Sequence, residues 1–124
     1  LLKVLELEDY LPAYKTLSLI YVGQKAFPKA IERLKAYLKK APQDAEAYYF
    51  LAVVYQNMKD FKKSEASYRQ AISLQLQNFT LYQGLMSLLV QTNQKEKARE
   101  LRDEIKVRFP DQHAYLEELN EILD

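Results

Sequence analysis

Residues 45–78 read AEAYYFLAVVYQNMKDFKKSEASYRQAISLQLQN, and the fold turns on this stretch. Ala45 to Met58 carries apolar side chains on nearly every face. Phe61 to Leu76 sets Phe61, Ala66, Tyr68, Ala71, Ile72 and Leu74 against a surface of Lys, Glu, Arg and Gln. Two helical periods joined by a short polar turn make a helical hairpin. A helix that is apolar all round has to be covered on more than one side, which a lone hairpin cannot do. The hairpin therefore needs a neighbour on each flank, and the residues before and after it supply both.

The chain has 124 residues, enough for one domain with one modest core. Lys plus Arg number 18 and Asp plus Glu 17, so the near-zero net charge argues against a non-specific nucleic-acid binder. Two glycines, Gly23 and Gly84, and four prolines, Pro12, Pro28, Pro42 and Pro110, leave little punctuation and point to an all-helical chain with tight turns. Cysteine is absent, which removes disulfides and thiolate metal sites from consideration. No apolar run is long enough to span a bilayer, so no membrane insertion is expected.

Giving Pro42 and Pro110 the same role sets a period of 34 residues, and the chain aligns to it without gaps as 11–44, 45–78 and 79–112. The fourth position then holds Tyr14, Tyr48 and Tyr82, and the seventh Leu17, Leu51 and Leu85. The eleventh holds Tyr21, Tyr55 and Leu89, and the twentieth Ala30, Ser64 and Ala98. The thirty-second holds Pro42, Leu76 and Pro110.

This pattern resembles the tetratricopeptide repeat: an aromatic at position four, Leu at seven, a small residue at eight, Tyr at eleven, Ala at twenty and Pro at thirty-two. Within it, Lys95 and Arg102 replace expected apolar residues, Met86 stands where a small residue is usual, Tyr37 where Ala is usual, and Leu76 replaces a proline. The resemblance implies an all-α, right-handed α-solenoid of three helix-turn-helix repeats with a C-terminal capping helix. Residues 113–124, with Tyr115, Leu116, Leu119, Ile122 and Leu123 on one stripe, are the expected cap. Residues 1–10 read as the tail of a truncated preceding helix. Within them Leu1–Leu7 is expected to pack on the first repeat or on another chain, a route to a homo-oligomer.

Helix punctuation agrees with these boundaries. Asp44, Asp60 and Asn78 are expected N-caps, Asn93 with Glu96 resembles a capping box, and Pro28 suits a first helical turn. Hairpin turns are expected near Lys25–Phe27, Lys59–Asp60 and Asn93–Gln94.

Little here resembles a catalytic centre. His113, the single histidine, has no evident orienting acid or nucleophile. The acids Glu6, Glu8 and Asp9, and Glu117, Glu118 and Glu121, read as solvated faces rather than converging metal ligands. No phosphate-binding glycine loop or nucleophile elbow is present. The basic residues Lys35, Lys39, Lys40, Lys62, Lys63 and Arg69 fall on outer helices among Glu32 and Glu65, which fits a solubilising face better than RNA recognition. We expect no enzyme, cofactor, metal or nucleic-acid partner.

The other side of each first helix is a different matter. Positions two, five, six, nine, twelve and thirteen share a face, and the resemblance implies that this face lines a concave groove. The expected peptide-binding residues are Lys15, Leu19 and Val22 from the first repeat, and Tyr49, Phe50, Val53, Gln56 and Asn57 from the second. Gln83, Ser87, Val90 and Gln91 come from the third. Tyr49, Phe50 and Val53 form an apolar strip that the hairpin does not need for its own packing, bordered by uncharged amides able to bond a peptide backbone. The family's clamp for acidic chain ends uses Lys, Asn, Asn, Lys and Arg. The matching positions here are Lys15, Leu19, Phe50, Thr80 and Gly84, so no preference for acidic tails is expected. The expected function is a non-catalytic protein-interaction scaffold that binds a mainly apolar peptide or helix in its groove. The alternative is a structural or assembly module that self-associates or docks within a larger multi-repeat protein. The cytoplasm is the expected compartment, with the periplasm or another compartment as the alternative where a signal peptide has been removed.

Overall fold

The computed structural model describes the backbone of residues 11–124 and the side chains of residues 16–124. The strip Leu1–Leu7 and the side chain of Lys15 lie outside the described residues. Seven helices follow one another there: α1 Leu11–Gly23, α2 Phe27–Lys40, α3 Ala45–Asn57, α4 Phe61–Leu74, α5 Phe79–Gln91, α6 Lys95–Arg108 and α7 His113–Leu123. Among the described residues there is no strand. Each helix packs against the next, and α3 also touches α5, so the chain is a solenoid of helical hairpins.

Local chemistry explains where the helices start. Asp44 accepts from the Ala47 N–H at 3.2 Å, Asp60 from Lys63 at 3.4 Å and Asn78 from Thr80 at 3.2 Å, each satisfying one of the free donors of a first turn. Pro28 occupies the first turn of α2, where no N–H is required. The expected capping box at Asn93 is not formed. Gln94 is the N-cap residue of α6 and makes no side-chain cap bond, while Asn93 belongs to the preceding turn.

That turn recurs. Lys25, Lys59 and Asn93 have φ of 58°, 63° and 56°, the only left-handed residues among those described. Each sits just past the end of a first helix. The Lys59 N–H bonds to the Gln56 carbonyl at 3.0 Å and the Asp60 N–H to the Tyr55 carbonyl at 2.9 Å. The same pair of bonds closes the turns at Lys25–Ala26 and Asn93–Gln94. This is the Schellman termination, in which one left-handed residue satisfies two orphan carbonyls.

Within a hairpin the two helices meet at small residues. The Ser64 hydroxyl donates to the Ala52 carbonyl at 2.7 Å, and in the first hairpin Ser18 on α1 reaches the Ala30 carbonyl on α2 at 3.5 Å. Serine and alanine thus exchange sides between consecutive hairpins. The third sets buried Met86 opposite buried Ala98. Lysine heads also repeat, Lys29 over the Tyr21 ring and Lys63 over Tyr55 at 5.8 and 5.7 Å.

The core forms two clusters that meet at α3. Ala47, Leu51, Val54 and Tyr55 pack with Ala30, Leu34, Tyr37 and Leu38 of α2. Ala45 and Ala52 join Tyr68, Ala71 and Ile72 of α4 and the buried residues of α5, α6 and α7. A helix shared between two clusters is the reason its sequence is apolar on nearly every face; Ala66, placed by periodicity on the inner side of α4, is exposed. Leu119 and Leu123 seal α7 onto the last hairpin. The Arg102 departure from the repeat pattern has a partner there: its Nη1 contacts both Asp124 carboxylate oxygens at 2.9 Å. Arg99 donates to the Leu123 carbonyl at 2.7 and 3.2 Å.

A left-handed residue with a Cβ is strained, whereas glycine there is not. Lys25→Gly and Lys59→Gly are each expected to raise unfolding free energy by about 0.5–1 kcal/mol net of the extra freedom of the unfolded chain. Asn93→Gly should gain less, since asparagine visits this region more readily. Urea unfolding measures both, and unchanged midpoints for the two lysine variants would refute the strain.

Candidate functional site

Charge is partitioned by helix. Helix α5, FTLYQGLMSLLVQ, has no Asp, Glu, Lys or Arg; α3 has Glu46 alone and α1 Lys15 alone. Helices α2, α4 and α6 carry the basic and acidic residues, paired as Arg69–Glu65 and Arg108–Glu104 at 3.0 Å and Lys97–Glu65 at 3.2 Å. Burial raises the Glu65 pKa, but the two cations outweigh it and hold the carboxyl below its ordinary value. The cause of the partition is packing. A helix flanked on both sides leaves only a narrow strip for solvent, while the outer helices have a full face.

That narrow strip carries two depressions. One, of about 280 Å³, lies between the N-terminal halves of α3 and α5, lined by Glu46, Tyr49, Phe50, Thr80 and Leu81 with Gln75 and Asn78. The other, of about 370 Å³, lies between α5 and α7. Gln83, Met86, Ser87, Val90 and Gln91 line its α5 side and Tyr115, Glu118, Leu119 and Ile122 its α7 side.

Between them runs a ring-and-amide ridge. Tyr49 and Tyr68 meet edge to face with centroids 5.9 Å apart. The Tyr68 hydroxyl donates to Gln56 Oε1 at 2.7 Å, and Gln56 Nε2 donates to Gln91 Oε1 at 2.7 Å. This chain ties outer helix α4 through α3 to α5. Gly84 lets it form, because a Cβ there would lie 2.5 Å from Tyr68 Cε1 and 3.1 Å from Tyr49 Cε1. Burial first, and the Tyr49 hydroxyl second, push the Tyr68 pKa well up. Tyr115 is raised to about 12 by burial and by the charge of Glu118.

The residues singled out from sequence fall into four groups. Gln83, Ser87, Val90 and Gln91 line the α5–α7 depression together. Tyr49 and Phe50 line the α3–α5 depression but also pack: Tyr49 and Val53 lie against the larger core cluster and Phe50 against the smaller. They are thus not surplus to the fold. Gln56 is committed to Tyr68 and Gln91, and Asn57 donates to the Val53 carbonyl at 3.0 Å. Leu19 is 51% exposed and Val22 half-buried, on α1 at the far end. Sequence reasoning missed Met86, Tyr115, Glu118, Leu119 and Ile122. For Tyr115, Leu119 and Ile122 the signal was the stripe on α7, read only as a cap. Among the described residues no cluster of His, Asp or Glu could hold a metal ion, and no helix is long and apolar enough to cross a membrane.

The sequence model of the tetratricopeptide repeat matches residues 21–89, more than half of the chain. The chain belongs to the tetratricopeptide repeat family. Comparison with curated proteins finds no match. Among solved structures, MamA 41-end from Desulfovibrio magneticus RS-1 superposes with a TM-score of 0.75 at 22% identity over 84% of this chain, which spans 59% of that one. The first tetratricopeptide domain of Spaghetti (RPAP3), bound to the HSP90 peptide SRMEEVD, gives 0.75 at 17% identity, covering 93% of this chain and 94% of that one. The TPR2B domain of yeast Sti1 in complex with an Hsp70 peptide gives 0.76 at 16% identity, covering 91% and 92%. At these identities the likeness is one of fold. The tetratricopeptide repeat is a protein-interaction scaffold, and this chain carries that fold.

Gly84→Ala is expected to destabilise the protein by about 1–3 kcal/mol, the usual cost of overpacking, and Gly23→Ala not to do so, since nothing lies within 4 Å of a Cβ there. Alkaline pH gives a second check. The unfolded chain releases the Tyr115 proton near the ordinary value of 10.0, while the folded chain holds it to about 12. The Tyr115 contribution to stability is therefore constant below pH 10 and falls away as pH rises from 10 to 12. Tyr115→Phe should flatten that fall in thermal melts; an identical slope would refute it.

Proposed function

We propose that this tetratricopeptide domain binds a mainly apolar stretch of a partner protein, helical or extended, along the strip formed by α1, α3, α5 and α7. The observation that carries the reading is the charge partition. Helices α3 and α5 contribute one charged residue between them, Glu46, whereas the outer helices are densely charged. An acidic ligand entering the α3–α5 part of this strip would lose hydration without gaining a counter-ion, since no basic residue stands on either helix. An apolar segment loses nothing and buries Val90, Ile122 and the Tyr49–Phe50 rings further. The HSP90 peptide bound by the Spaghetti domain carries acidic residues. Of the clamp positions that would meet such a tail here, only Lys15 is basic. Catalysis has no support in the arrangement.

A second reading, self-association or docking within a longer array, is favoured by Leu19 and Ile20, adjacent on α1 and 51% and 48% exposed. Sedimentation velocity separates the two readings, since a protein that is monomeric at high concentration does not self-associate.

The test of the groove pairs two exposed valines. Val90 is 39% exposed in the α5–α7 depression and Val107 81% exposed on outer helix α6. Peptides selected from a random display library on the folded domain are expected to bind Val90→Asp at least tenfold more weakly, about 1.4 kcal/mol, and to bind Val107→Asp as the parent. Equal loss in both variants, or in neither, would exclude the groove.

A further inference from the structure

We propose that the subsite between α5 and α7 takes a partner segment in which an apolar side chain is flanked by lysine or arginine, with Glu118 as the carboxylate that selects the basic flank. This rests on the groove reading above and adds the chemistry of the ligand.

The subsite has an apolar floor and walls. Met86 and Leu119 are buried at its base, 2% and 3% exposed, while Val90 and Ile122 remain 39% and 47% exposed at its edge. Val90 and Ile122 also line a smaller depression of about 220 Å³ on their other flank, so the two side chains form a ridge with apolar surface on both sides. Exposed aliphatic pairs over a buried floor are the geometry in which an inserted apolar group gains the most, because its contacts are made with atoms already held in place.

Glu118 gives the subsite its sign. It is the one Asp, Glu, Lys or Arg lining the α5–α7 depression. It makes no salt bridge among the described residues, unlike Glu65, Glu96 and Glu104 on the outer helices. The arginines that could reach across from α6 are engaged elsewhere: Arg99 with Glu96 and the Leu123 carbonyl, Arg102 with Asp124. Glu117 and Glu121 on the same helix add charge of the same sign, and Lys95 stands across the ridge in the smaller depression. A carboxylate at the lip of an apolar pocket contributes selectivity more than affinity. A lysine or arginine beside the anchor gives Glu118 a cation that none of the described residues supplies, and an acidic flank is repelled.

The experiment uses the whole chain and random peptides displayed on phage, with the selected peptides synthesised and titrated by fluorescence anisotropy against the parent, Val90→Asp, Glu118→Gln and Glu118→Lys. Glu118 is exposed, so circular dichroism and melting of both Glu118 variants should match the parent. The expected result is enrichment of Lys or Arg next to Leu, Ile or Phe, weakening by Val90→Asp, and a roughly fivefold loss in Glu118→Gln. The loss should be larger in Glu118→Lys and shrink with added salt. Peptides sensitive to Val90→Asp but indifferent to Glu118→Gln, or with acidic or neutral flanks, would overturn this proposal and leave the groove standing. Peptides indifferent to Val90→Asp would overturn both. Self-association abolished by Glu118→Gln, with no peptide enriched, would make a second copy of the chain the occupant and also overturn it.

Discussion

The closeness of the two helices in a hairpin governs the rest of this structure. A serine hydroxyl from one helix reaches a backbone carbonyl of the other, Ser64 to Ala52 in the second hairpin and Ser18 to Ala30 in the first. Such a bond requires that nothing larger than a methyl group stand between the backbones. Without an acceptor, a buried hydroxyl would cost about 1–3 kcal/mol. Helices this close cannot be joined by a wide loop, so one left-handed residue closes each turn. Nor can they leave a charged side chain on their shared face, so charge moves to the outer helices. In the third hairpin Met86 replaces the small residue, and its flexible thioether fills the base of the α5–α7 depression.

Much of this was legible in the chain, because a ladder of neighbour contacts writes itself at a fixed spacing. Tyr48 and Tyr82 recur with Leu51 and Leu85 since each repeat solves the same packing problem. What escaped was of two kinds. Asn93 is good both as an N-cap and in the left-handed region, and only the backbone shows which use prevails. The Gln56–Gln91 bond joins side chains 35 residues apart, and no local pattern announces it. Gly84 is similar: its need for glycine comes from the Tyr68 ring on another helix. The α7 stripe was visible, but a residue such as Ile122 that half covers and half faces a depression looks in sequence like any other covering residue.

The candidate groove is therefore more rigid in its middle than at its ends. Tyr49, Tyr68, Gln56 and Gln91 hold one another by ring contact and hydrogen bonds. The surface beside them, from Gln83 to Ile122, combines exposed aliphatic groups with amides and one carboxylate. A pre-formed centre spares a ligand the entropic cost of ordering it, and the open margin leaves room for discrimination.

The two-cluster core bears on how the chain comes apart. Because α3 belongs to both clusters, it couples the α2–α3 contact to the α4-to-α7 block, in the manner of adjoining spins in a one-dimensional lattice. The smaller cluster can open while the larger persists, so amide protection should be graded along the solenoid rather than uniform. Binding energy delivered at α5 and α7 falls on the block that opens last, and α1 and α2 remain free to fray or to serve a neighbour without loosening the α5–α7 subsite.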